Sequence, residues 1–178
     1  MKIEKTELLG VNIIDNFVAT DERGTFVKTF SNEDFNRKEL KFDIKETYYS
    51  ISKKNVIRGM HFQLPPFEHK KLVFVIQGSI IDVIVDLRKE SITYKKSISI
   101  ELSANNRKAL FIPEGFAHGF KSLEDNTITV YHVSSVYNSG ADSGIYYDSI
   151  DFDWELINPI ISERDRLFDK MHEFKSPF

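Results

Sequence analysis

Lys71-Leu72-Val73-Phe74-Val75-Ile76-Gln77-Gly78-Ser79-Ile80-Ile81-Asp82-Val83-Ile84-Val85-Asp86-Leu87 holds two strand-length apolar runs, Lys71–Gln77 and Ile80–Leu87, parted by a turn at Gln77-Gly78-Ser79. In the second run Ile81, Val83, Val85 and Leu87 share one face, and Asp82 and Asp86 lie on the other. A strand of this kind packs its apolar back on another sheet and lines a pocket with its front. Working outward, runs rich in Ile, Val, Phe, Tyr and Thr recur at Thr25–Phe30, Glu46–Ser52, Val56–Gln63, Ser97–Leu102, Ala109–Ile112 and Thr127–Val133. Turn chemistry separates them: Glu22-Arg23-Gly24, Pro65-Pro66, Asn105-Asn106, Pro113-Glu114-Gly115 and Glu124-Asp125-Asn126. Many short strands without alternating helices predict an all-β sandwich or barrel. Two capping patterns, Ser31-x-x-Asp34 and Ser162-x-x-Asp165, predict short peripheral helices.

The chain has 178 residues, the length of one domain, and no repeat or linker divides it. We expect a single domain over residues 1–178. Fifteen phenylalanines give it a large apolar payload for its size. The formal charge of −3 is spread along the chain, with no basic block of the kind that binds nucleic acid or anionic lipid. An anionic ligand must therefore be held by a few placed cations. Cysteine is absent, which excludes disulfides and thiolate chemistry and fits a reducing compartment. Met1-Lys2-Ile3-Glu4-Lys5 lacks the apolar core of a signal peptide, and the longest apolar runs are too short to span a bilayer as a helix. The expectation is a soluble, cytoplasmic protein.

Three of five histidines carry candidate chemistry: His61, His118 and His132. A strand histidine on its own is more often a half-buried packing residue. His61 differs in its company, since Arg58, Gln63 and Lys71 fall within one hairpin's reach of it. Arg58 and His61 are an odd number of positions apart, so a regular strand would point them to opposite faces; Gly59 permits a bulge that reconciles them. Lys71, flanked by Leu72 and Val73, has its stem against the core, whereas Lys70 reads as a surface residue. Pro113-x-Gly115-x-x-His118 is similar to the second metal motif of the cupin superfamily. The first motif would need a second histidine where Gln63 stands. A metal site from His61, His118 and His69 is the alternative that this omission disfavours.

Asp21-Glu22-Arg23-Gly24-x-Phe26, Arg58-Gly59-Met60-His61-Phe62-Gln63, Lys71-Leu72-Val73, Gly78, Asp82-Val83-x-Val85-Asp86-Leu87-Arg88, Ile112-Pro113-Glu114-Gly115-Phe116-Ala117-His118-Gly119-Phe120, Tyr131, Tyr137, Trp154, Leu156 and Ser162-Glu163-Arg164-Asp165 occur in that order. Together they resemble the dTDP-4-dehydrorhamnose 3,5-epimerase family over nearly the whole chain. The resemblance implies a cupin-type jelly roll, no metal or other cofactor, a nucleotide-diphosphate sugar as substrate, and a homodimer that exchanges strands. It implies that His61 is the catalytic base, Asp165 its carboxylate partner, Tyr131 the acid on the far side of the sugar, and Lys71 the group that stabilises the enolate. Arg23 and Arg58 would grip the diphosphate and sugar, with His118, Tyr137 and Gln63 beside them.

The residue types suit the chemistry. A C–H beside a ketone is acidic because the enolate spreads charge onto oxygen, and histidine is an accessible base near neutral pH. Each role has a plainer reading: Asp165 as a helix-capping residue, Tyr131 as a strand tyrosine, Arg23 as an exposed turn residue. Lys28, Glu46 and Tyr48 stand where the family is expected to carry Glu, Gln and Asn. These positions belong to the recognition set, so the sugar and the number of carbons inverted, C3, C5 or both, are open.

Overall fold

A computed structural model describes residues 1–155 and 158–178; Leu156, quoted above, lies outside the described residues. The chain forms β1 (Lys2–Lys5), β2 (Asn12–Asp15), β3 (Phe17–Asp21), β4 (Gly24–Lys28), α1 (Asn32–Arg37), β5 (Glu46–Ser52), β6 (Ile57–Gln63) and β7 (Lys71–Gln77). It continues with β8 (Ser79–Asp86), β9 (Ser97–Ser103), β10 (Lys108–Ile112), β11 (Phe116–Ser122), β12 (Thr127–Val133), β13 (Asp142–Gly144) and α2 (Glu163–Arg166). Six strands make one antiparallel sheet in the order β1-β2-β10-β7-β12-β5, and five make a second in the order β13-β6-β11-β8-β9. The hairpin β3-β4 pairs with neither. This is the all-β sandwich that the strand pattern predicts, with both helices capped by the expected serines, Ser31 and Ser162.

Three apolar clusters hold the layers. Between the sheets, Val73 and Val75 of β7 and Tyr131 of β12 meet Ile80, Ile84, Phe116 and Phe120 of β8 and β11. Outside the five-stranded sheet, Val83, Val85 and Leu87 pack on Ile145, Tyr147 and Trp154 of the C-terminal segment. Outside the six-stranded sheet, Leu72, Phe74 and Phe111 are covered by Phe35 of α1 and by Phe42. At roughly 25 cal/mol per Å² of apolar area, each fully buried Phe or Leu contributes about 1.5–3 kcal/mol.

The reading of β8 needs one correction. Its wholly apolar face, Ile81 to Leu87, meets the C-terminal segment and not the other sheet. The face that carries Asp82 is the one turned to the interior, where Asp82 is fully buried. Strands β1, β2, β3, β11 and β13 were not expected. In β11, Phe-Ala-His-Gly-Phe-Lys-Ser has weak β propensity; it pairs because Gly119 and Gly59 let two backbones approach closely. A Cβ at Gly59 would fall 2.5 Å from the Gly119 Cα.

Candidate active site

One cavity of about 440 Å³ opens between the sheets, within the range of small-molecule sites. Its walls come from β5 (Glu46, Tyr48, Ser50), β6 (Arg58, His61, Gln63), β7 (Lys71), β11 (His118) and β12 (Tyr131). On β6 the register against β11 slips: His118 faces His61 but Phe120 faces Arg58, so two residues, Gly59 and Met60, oppose the single Gly119. That bulge at Gly59 brings Arg58 and His61 into the same cavity despite their odd spacing.

His61 Nε2 lies 2.8 Å from Asp165 Oδ1. Asp165, 4% exposed, also accepts the Gly59 N–H through Oδ2 at 3.2 Å. Burial works against its charge, but the hydrogen bonds from His61 and Gly59 outweigh it and hold the carboxyl below its usual range. An ionised carboxylate only accepts, so Nε2 carries the hydrogen and Nδ1 of the neutral ring is the basic nitrogen. The capping reading of Asp165 fails for its side chain: its N–H is taken by Ser162 Oγ at 3.1 Å, while the carboxylate leaves the helix for His61.

Lys71 is 7% exposed and donates from Nζ to the His61 carbonyl oxygen at 3.1 Å. Burial pushes its pKa down to about 8, against the pull of Asp82 and Asp142. Tyr131, on the opposite sheet from His61, is buried; its hydroxyl lies 3.4 Å from Ser50 Oγ and its ring stacks on Tyr48 at 4.9 Å. Burial raises the phenol pKa, so the hydroxyl is protonated at neutral pH. His118 Nε2 lies 2.6 Å from Asp82 Oδ1.

Nine of the twelve predicted site residues line the cavity, and Asp165 stands directly behind His61. Gln63 is among the nine, but its amide is engaged within the chain. Nε2 donates to Phe67 O at 2.8 Å and to His69 Nδ1 at 3.0 Å, while Oε1 accepts the Asn138 N–H at 2.6 Å. It shapes the wall more than it offers itself to a ligand. Burial, and then the nearby Lys71 charge, hold His69 neutral, pushed down to about 3. Among the described residues no group of three or more His, Cys, Asp or Glu is placed to hold a metal. Arg23 and Lys28 lie outside the cavity of their own chain. Both sit on the hairpin β3-β4, where Arg23, 84% exposed at its side chain, pairs with Asp21 and Lys28 Nζ lies 5.8 Å from the Phe17 ring.

Two mouth residues escaped the sequence reading. Arg164 pairs with Asp142 Oδ2 at 2.8 Å and lies over the Phe168 ring at 5.1 Å; Tyr137 Oη donates to the same carboxylate at 3.2 Å. Arg164 adjoins Asp165 in the quoted Ser162–Asp165 stretch, and that adjacency was the available signal. Nothing local marked Asp142.

The geometry has counterparts. The family model described as dTDP-4-dehydrorhamnose 3,5-epimerase matches residues 5–173. The enzyme of that name from Methanothermobacter thermautotrophicus is 44% identical over 174 residues, 95% of this chain and 94% of its own. The crystal structure of the Bacillus anthracis enzyme with TDP and PPi bound superposes with a TM-score of 0.93 at 34% identity, covering 96% of this chain and 99% of that one. The Legionella pneumophila enzyme in complex with dTDP-4-keto-L-rhamnose gives a TM-score of 0.93 at 29% identity, covering 98% and 94%. The β-sandwich is thus a cupin-type jelly roll, and the chain belongs to the dTDP-4-dehydrorhamnose 3,5-epimerase family.

Proposed function

We propose that this chain epimerises a dTDP-linked 4-keto-6-deoxyhexose at C3 and C5, by removing a proton beside the ketone and returning one from the other face. The observation that carries the reading is the placement of His61, backed by Asp165, and Tyr131 on opposite sheets around one cavity. In this scheme His61 Nδ1 takes the proton from carbon as Asp165 stabilises the resulting imidazolium, a role worth about 10²–10⁴-fold in rate. The electrons of the broken C–H bond move onto the C4 oxygen, where the Lys71 ammonium meets them. Tyr131 then gives its phenolic proton to the opposite face of the enolate carbon. A water-excluded cavity strengthens each of these charge contacts. In heavy water the substrate should gain deuterium at C3 and C5, seen by proton NMR. Turnover without any exchange would overturn the scheme.

Inversion at a single carbon is the second reading. Tyr48 stacks on Tyr131 at one of the positions that departs from the residue the family is expected to carry, and so bears on which carbon the phenol serves. Product stereochemistry by NMR separates the two.

The reading takes residues 1–178 as one jelly-roll domain working as a homodimer in the cytoplasm, on the grounds of a nucleotide-linked substrate and the absence of cysteine. The exposed hairpin β3-β4 supports the dimer: Arg23 and Lys28 reach a cavity only if it belongs to a second copy. Mixing Arg23→Ala and His61→Asn chains, each inactive alone, should restore activity by giving one site both residues. No recovery from a mixture shown to exchange subunits would overturn the exchange.

A further inference from the structure

A second imidazole–carboxylate pair lies beside the first, and the scheme above leaves its carboxylate without a task. Asp82 of β8 is 0% exposed and His118 of β11 4%, with Oδ1 and Nε2 2.6 Å apart. On their strands they share a face with the interior residues Ile80, Ile84, Phe116 and Phe120, so both project between the sheets. His118 lines the cavity and is the direct cross-strand partner of His61. Asp82 Oδ2 has no hydrogen-bond partner among the described residues. A fully buried, half-satisfied carboxylate is costly, and an ordinary core position would carry an apolar residue.

The neighbouring charges give it a purpose. His61 of β6, His69 of the following loop and His118 of β11 surround Lys71 of β7 with nitrogen groups that add no negative charge. Glu46 of β5 and Tyr131 of β12 complete the cavity wall. The carboxylates that favour the Lys71 ammonium are Asp82 and then Asp142 of β13, and Asp142 is already engaged by Arg164.

We infer that Asp82 is a positioning residue for the epimerisation: its fixed negative charge holds His118 in the Nε2–H tautomer and keeps Lys71 an ammonium, so that the cavity wall is ready for charge arriving on the substrate's carbonyl oxygen. The inference rests on the enolate reading for its purpose but not for its test. A carboxylate bonded to Nε2 fixes the hydrogen there and leaves His118 Nδ1 as the other face of the ring. Burial has already brought Lys71 to about 8, with Asp82 the largest influence against it. Without that charge only Asp142 would oppose burial, and the amine would hold its proton less tightly.

The test is nitrogen-15 NMR of the histidine and lysine side chains in the whole protein, comparing it with Asp82→Asn and assigning signals with His118→Gln and Lys71→Met. The expected result is one His118 tautomer in the unaltered protein, a mixture in Asp82→Asn, and a Lys71 midpoint lower by a unit or more, a tenfold weaker hold on its proton. The basic limb of the kcat profile should move down by the same amount while KM changes little. An unchanged tautomer and midpoint in a folded Asp82→Asn protein would overturn the inference. If that variant does not fold, the carbon-13 shift of the Asp82 carboxyl in the unaltered protein decides: ionised at pH 7 supports the inference, protonated overturns it. Failure of the enolate reading shows separately, as absence of deuterium exchange in the unaltered protein.

Discussion

The Lys71 ammonium donates to the carbonyl oxygen of His61, 3.1 Å away, so the cation and the base of the proposed reaction are tied through one peptide unit. Any shift of β6 that moves the imidazole also moves the acceptor on which the lysine rests. The pair was placed within a hairpin's reach by sequence, but the contact itself depends on β7 beginning at Lys71 with its side chain turned inward.

Lys71→Met should trade activity for stability. Burial lowers the lysine from its ordinary 10.5 to about 8, so below pH 8 the folded protein carries a charge that it would rather lose. The unfolded chain binds the extra proton between pH 8 and 10.5, and stability from this group rises across that window. At pH 7 the methionine variant should be more stable by on the order of 3 kcal/mol, less whatever packing is lost, with the difference fading above pH 10. Its kcat should fall about 10²–10³-fold. Thermal melts against pH, paired with an exchange assay, measure both; a variant of unaltered kcat would remove Lys71 from the reaction.

Asp165→Asn keeps an acceptor for the Gly59 N–H but removes the charge behind His61. We expect kcat to drop about 10²–10⁴-fold with KM little altered. Since the folded carboxyl sits below its usual range, the stability it contributes is present above the ordinary carboxylate value and is lost as pH falls through the folded one. Acid melts of the two proteins should therefore converge at low pH and differ near neutrality.

Tyr131→Phe removes a hydroxyl whose hydrogen bond, to Ser50, is long at 3.4 Å. The fold should tolerate it within about 1 kcal/mol. Deuterium should still enter through His61, while inversion stops. Full-rate inversion by this variant would assign the acid elsewhere.

Gly59→Ala should damage fold and function together. Gly59 has φ +144°, and a Cβ there would meet the Gly119 backbone at 2.5 Å. We expect a loss of more than about 2 kcal/mol and displacement of His61. A normal melting temperature would show that the two strands can separate without cost.

The sequence carried much of this, and unevenly. Runs such as Lys71–Gln77 and Thr127–Val133 were legible because β-branched residues in a period of two leave few other structures open. Phe116–Ser122 was read as a motif and not as a strand, because its pairing depends on glycine contacts to a segment sixty residues away. His61, Lys71 and Tyr131 could be named through the family resemblance. Asp142 could not, since a three-residue strand leaves no periodicity, and Arg164 stood beside Asp165 in a quoted motif without a role of its own. The role of Asp82 was hidden for a different reason: alternation separated it from the apolar face correctly but could not show that its own face was the buried one.

The helix that carries Asp165 lies near the end of the chain, and its carboxylate reaches back across 104 positions to finish the site. During synthesis the sandwich strands all emerge before it does. The pairing of the two sheets and the orientation of the ring are thus set by different parts of the chain, and a change confined to that short helix can silence the chemistry while every sheet ladder stays paired.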